Sequence, residues 1–97
     1  MSRLVWSIGA LEDLQAIQEE VSRHSVVYAD LVLARLVSGP ERLVQFPELG
    51  RMVPEFALPN LRELIIRPYR VVYRLQGDVV EIVTVFHSAR LLPGLHS

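Results

Sequence analysis

Between Leu61 and Phe86 the chain passes through three short apolar runs, separated only by Arg67-Pro68-Tyr69 and Gln76-Gly77-Asp78. This is the most constraining stretch of the sequence. The spacing predicts strands over 61–67, 70–76 and 79–86. Gly77-Asp78 between two alternating runs is a strong short-range signal for an antiparallel hairpin. In the middle strand Val71, Tyr73 and Leu75 fall on one face, and Arg70, Val72, Arg74 and Gln76 on the other. The reading is a sheet with one face packed on the rest of the domain and the other open and arginine-bearing.

The first half supplies the packing layer. Arg3 to Trp6 reads as a short strand and Ser7 as a helix N-cap. Residues 9–23 read as a helix, with Ala10, Leu14, Ile17 and Val21 at helical spacing while Glu12, Asp13, Glu19 and Glu20 face away. A turn at His24-Ser25 leads to a second helix over 26–37, carrying Val27, Leu31, Ala34 and Leu36 or Val37 as its apolar positions. Ser38-Gly39-Pro40-Glu41 has capping-box spacing, so this helix kinks there or stops and restarts. Residues 46–60, with three prolines and a glycine, read as ordered loop. The expected fold is a single α+β domain over residues 1–97, in which an N-terminal helical hairpin packs on a twisted antiparallel sheet of about four strands.

Composition narrows the chemistry. There is no cysteine, and His24, His87 and His96 show no ligand spacing, so neither a metal nor another cofactor is expected. No apolar run approaches membrane-spanning length and no signal-peptide pattern precedes the first strand, so the expectation is no membrane and a cytoplasmic protein. All ten basic residues are arginine, which cannot serve as a general base near neutral pH. The net charge of −1 argues against a general nucleic-acid binder, yet residues 62–74 carry four arginines against Glu63 alone. At 51% hydrophobic and a mean hydropathy of +0.29, so small a domain is expected to turn some apolar surface outward, where a partner would cover it.

The order of strand, helical hairpin, FP-x-x-GR loop and three antiparallel strands resembles the RelE/ParE superfamily of bacterial toxins. The residues that carry it are Asp13-Leu14, Phe46-Pro47, Gly50-Arg51, Pro54-Glu55, Arg62-Glu63, Tyr69-Arg70 with Tyr73, and His87 with Arg90. The pattern is closer to the ParE-like, plasmid-stabilisation branch. The resemblance implies a toxin neutralised by a cognate antitoxin in a toxin–antitoxin hetero-oligomer. It also implies a cellular target, either DNA gyrase for ParE-like members or messenger RNA in the ribosomal A site for RelE- and YoeB-like members. A non-toxic remnant that only binds its antitoxin is a third reading.

For the nuclease alternative the resemblance implies Glu55, Arg70 and His87 as the catalytic set: a group to activate the 2′-hydroxyl, a cation for the phosphorane charge and an acid for the leaving oxygen. The YoeB-like tyrosine position is Ser88 here. Arg51, Arg62, Arg74 and Arg90 complete the expected functional surface. Each residue has a structural alternative. Glu55 can be a solvated or capping acid, His87 a hydrogen-bonded strand-end residue, Arg51 a clamp on the loop, and Arg70 a cross-strand partner of Glu81. Near-neutral charge and Ser88 favour the gyrase-directed reading, with no cleavage of free RNA.

Overall fold

A computed structural model describes residues 2–89. The elements in chain order are β1 (Arg3–Trp6), α1 (Ile8–Ser22), α2 (Val26–Ser38), a 3-10 helix (Gly39–Val44), β2 (Arg51–Met52), β3 (Leu61–Ile66), β4 (Tyr69–Gln76) and β5 (Val79–His87). The expected helical hairpin and three-stranded meander are present. No helix among the described residues is long and apolar enough to cross a membrane. Arg90, one of the expected surface arginines, lies outside the described residues.

The sheet has five strands in the order β1-β5-β4-β3-β2, and it is mixed rather than wholly antiparallel. β1 runs parallel to β5, pairing Arg3–Trp6 with Val79–Ile82. Alternation along a strand reveals which residues share a face but not which strand lies beside it. Here the whole of the intervening chain acts as the crossover that a parallel pair requires. The fifth strand is the two-residue β2, inside the segment read as loop.

β1 ends at Trp6, so the far half of β5 loses its neighbour. The start of α1 takes over that edge. Ser7 caps α1 by accepting from the Ala10 N–H, and its hydroxyl donates to the Val83 carbonyl at 3.0 Å. Asp13 accepts from the Thr84 hydroxyl at 2.6 Å and the Val85 N–H at 3.0 Å. Asp13 therefore does not face away with the other acids; it satisfies a strand edge that β1 leaves open. The same place holds a β-bulge, because Val72 pairs with Thr84 and Tyr73 with Ile82, leaving Val83 as the extra residue.

The main core lies between the hairpin and one sheet face. α1 contributes Ala10, Leu14 and Ile17, as its periodicity predicts, and the sheet contributes Tyr69, Val71, Tyr73, Val80 and Ile82 among others. On α2 the buried residues are Ala29, Val32 and Leu36. Of the apolar positions read from the sequence only Leu36 is in the core, while Val27, Leu31 and Ala34 face outward. α2 is apolar on two sides, so its periodicity has two solutions. Ser38 has helical backbone angles and makes no capping bond, so α2 tightens directly into the 3-10 helix instead of restarting at a capping box.

The second sheet face is not open. Val53 is fully buried against Val72, with Leu61 and Phe86 packed around them. The segment after β2 thus forms a small second core. The FP-x-x-GR loop that leads into β2 is pinned by one phenol, since Tyr73 Oη accepts from the Gly50 N–H at 2.8 Å and donates to the Pro47 carbonyl at 2.8 Å. Burial raises the Tyr73 pKa, so the hydroxyl keeps the proton it donates. A Cβ at position 50 would lie 2.5 Å from the Glu63 carbonyl oxygen and 2.6 Å from Tyr73 Oη. Only glycine fits there. Gly50→Ala is expected to destabilise the domain by about 1–3 kcal/mol through overpacking. Tyr73→Phe should lose about 1–3 kcal/mol by stranding two backbone groups. Thermal unfolding of the two variants beside wild type checks both values.

Candidate functional site

β2, β3 and β4 lie side by side, and each contributes one charged residue to a common cluster. In the register Arg51 is opposite Glu63, and Glu63 is opposite Val72, so Glu63 and Arg70 lie diagonally on the same sheet face. Glu63 is buried, with no exposed side-chain surface. It is held from both sides. Arg70 Nε donates to its Oε1 at 2.7 Å and Arg51 Nε to its Oε2 at 2.6 Å. The loop then adds a second carboxylate to Arg70. Glu55 Oε2 accepts from Arg70 Nη1 at 2.6 Å and Glu55 Oε1 from Nη2 at 2.5 Å, a bidentate fork.

The cluster is a neutral quartet of two guanidiniums and two carboxylates. Arg70 and Glu55 retain only 7% and 9% of their side-chain exposure, whereas Arg51 retains 59% and stands at the rim. Arg70 also stacks over the Phe86 ring at 5.0 Å, a cation–π contact. Hydrogen bonding to Glu55 is the largest influence on Arg70 and raises its pKa further above the usual arginine range. The cation is permanent. Its position ties Val53 and Pro54 to the sheet, because Glu55 follows them directly in the chain.

Of the expected catalytic residues, the fold brings Arg70 and Glu55 together and separates His87 from them. Arg70 is opposite Phe86, while His87 is opposite Tyr69. Tyr69 belongs to the core beneath the helices, so His87 turns to the helical side of the sheet and Arg70 to the loop side. There the His87 ring meets Tyr69 edge-on at 5.9 Å, and its Nδ1 accepts from the Ala89 N–H at 3.2 Å. It lines a groove of about 660 Å3 with Asp13, Glu20, His24 and Tyr28. The shallower depression above the quartet, about 410 Å3, is bordered by Arg51, Pro54, Glu55, Ile65, Arg70 and Ser88. In this arrangement Arg70 faces two carboxylates, and both oxygens of Glu55 are engaged by Arg70. Among the described residues no group of three or more histidines and carboxylates gathers that could hold a metal.

The other arginines have separate roles. Arg74, not Arg70, is the partner of Glu81, at 3.4 Å and largely in solvent. Counting from the two-residue turn at Gly77-Asp78 gives this register directly, pairing Gln76 with Val79 and Arg74 with Glu81. Arg62 is the clamp on the loop, donating to the carbonyls of Gly50 at 2.9 Å and Pro59 at 3.2 Å. Glu63, named from the sequence only as the acid among the arginines and within the Arg62-Glu63 pair that carries the resemblance, is the site residue that sequence reasoning did not single out. Its signal was a lone acid within a run of strand residues, at a position where alternation places it on the face of Arg70.

The quartet makes a stability prediction. Arg70→Ala exposes two carboxylates to a site built for a cation and should lower stability by about 3–5 kcal/mol. Arg74→Ala breaks a solvated pair and should change stability by about 0–1 kcal/mol. Chemical denaturation of both variants distinguishes the two arginines. Equal midpoints would mean that the quartet contributes nothing to the fold.

Comparison with known proteins agrees with this architecture. The family model for the ParE toxin of type II toxin-antitoxin system, parDE, matches residues 4–92. Toxin RelE2 of Caulobacter vibrioides is 36% identical over 92 residues, spanning 94% of this chain and 100% of that protein. Toxin ParE3 of the same organism is 33% identical over 86 residues, spanning 88% of this chain and 85% of that one. The solved structure of the chromosomal ParDE TA system from P. aeruginosa shares the fold, with a TM-score of 0.76 at 24% identity, over 90% of this chain and 96% of that one. The chain belongs to the ParE toxin family of type II toxin–antitoxin systems.

Proposed function

We propose that this protein is a toxin neutralised by a cognate antitoxin, and that it acts on DNA gyrase rather than as a ribosome-dependent nuclease. The observation that carries the choice of target is the division of the expected catalytic set across the sheet. A nuclease of the YoeB-like kind needs its cation, its base and its histidine around one phosphate. Here Arg70 and Glu55 are bonded to each other on one face, and His87 faces the helices on the other. The net charge of −1 supports the same reading, because a ribosome-bound protein works among RNA phosphates.

The antitoxin reading rests on the outward side of the helical hairpin. Ile8 and Leu11 on α1, and Val26, Val27, Tyr28 and Leu31 on α2, are all exposed. Exposed apolar side chains on both helices suit an amphipathic helix laid against the hairpin. The antitoxin would thus bind α1 and α2 and leave the quartet face to the target.

Induction of the protein alone in a bacterium should give filamentation and a DNA-damage response, and co-expression of the neighbouring antitoxin should abolish both. Leu31→Glu should leave the fold intact, because the side chain is exposed, and should escape neutralisation. His87→Ala should retain toxicity. Codon-positioned cuts in translating messages, lost in His87→Ala, would overturn the gyrase reading in favour of the nuclease.

A further inference from the structure

Three arginines outside the quartet share one place on the surface. Arg35 near the end of α2, Arg42 in the 3-10 helix and Arg67 at the β3–β4 turn surround a shallow depression of about 450 Å3, with Ile65 and Ile66 between them. Arg35 Nη2 donates to the Arg67 carbonyl at 3.0 Å, and Arg42 Nε to the Gly39 carbonyl at 3.1 Å. These bonds position two of the guanidiniums and leave most of their donors unused. Among the described residues none of the three has a carboxylate within ion-pair distance; the ion pairs are made by Arg51, Arg70 and Arg74. Three like charges gathered without a counter-ion favour an anionic partner.

The same place holds a free strand edge. β2 covers β3 only opposite Arg62 and Glu63. The Val53 N–H bonds to the Leu61 carbonyl at 3.2 Å, so Leu61 turns its backbone groups toward the outer edge. Backbone direction alternates along a strand, so Glu63 and Ile65 point the same way. Ile65 therefore presents its N–H and C=O beyond the end of β2, where β2 supplies no partner, and the residue is 40% exposed.

We infer that this edge docks an extended acidic segment of a partner protein, added as a short strand beside Ile65 with its carboxylates on Arg35, Arg42 and Arg67. Strand addition takes affinity from main-chain bonds and specificity from the flanking side chains. Guanidinium forks match carboxylates in geometry as well as charge. Nucleic acid is the poorer occupant, since no aromatic ring lines the depression for base stacking. A second copy of the chain is disfavoured because its own arginines would meet these, which is how charged edges resist self-pairing. The site does not depend on what covers the helical hairpin.

The test uses a short fluorescein-labelled peptide alternating glutamate and valine, with the lysine–valine counterpart and a single-stranded oligodeoxynucleotide as comparison probes. The acidic peptide should bind, more weakly as salt rises, and should slow hydrogen exchange at the Ile65 amide. Arg35→Gln with Arg67→Gln should weaken it roughly tenfold. Should that double variant melt early, Arg42→Gln serves instead, because among the described residues its guanidinium bonds only to the nearby Gly39 carbonyl, and a loss of about threefold is expected. Undiminished binding by the folded variants, no binding at all, preference for the oligonucleotide, or an unprotected Ile65 amide would each overturn the inference.

Discussion

A carboxylate with no exposed surface must be matched by cations, and Glu63 is matched twice. An ionised group removed from water is tolerated only when paired and hydrogen-bonded on every side. That requirement, placed on β3, brings Arg51 of β2 and Arg70 of β4 to it, and Arg70 in turn captures Glu55 from the loop. One buried charge thus determines how three strands and a loop meet. Lysine could not substitute for Arg70, because a single ammonium cannot span two carboxylates with a fork.

The quartet also explains why the sheet has two unequal cores. The helical side is a conventional apolar interior. Among the described residues the buried apolar side chains of the loop side are Val53 and Val72, with Leu61 and Phe86 at their flanks, and ionic bonds hold the remainder. The Tyr73 hydroxyl links the two sides, because its ring lies in the main core while its oxygen holds the loop at Pro47 and Gly50. A face organised by paired charges is firm but polar, and it remains bordered by the exposed guanidinium of Arg51. The helical hairpin has the opposite character, presenting apolar side chains to solvent. The surface is therefore divided into an apolar region and an arginine-rich region, and two kinds of partner can be accommodated without competing for the same residues.

Much of this was legible in local pattern. The alternation of β4, the Gly77-Asp78 turn, the Ser7 cap and the Ala10-Leu14-Ile17 stripe all appear in the structure as read. Each concerns residues close in sequence, where backbone geometry alone dictates who shares a face. The misreadings have a common cause. Strand adjacency alone offers Glu81 to Arg70 as well as to Arg74, and the register counted from the turn gives it to Arg74. α2 has two apolar stripes, and nothing within the helix says which one meets the sheet. Asp13 looked like one more solvated acid, because its partner is the edge of β5, 71 residues away at Thr84.

The candidate site divides in the same way. Arg70 and Glu55 were identifiable as residues that packing did not require, and period-two alternation placed Arg70 with Arg74. The sequence by itself determined β1, β3, β4 and β5, the helical hairpin and the two-faced middle strand, because these depend on short-range periodicity and turn chemistry; the family resemblance rests instead on its ordered short motifs. Only the tertiary structure decided that Glu63 is buried, that Arg70 is bonded instead of open, and that His87 lies across the sheet from both. Those outcomes depend on which strand lies beside which and on the loop folding over the second face. Such contacts are set by burial and charge pairing between distant segments, and no local pattern encodes them.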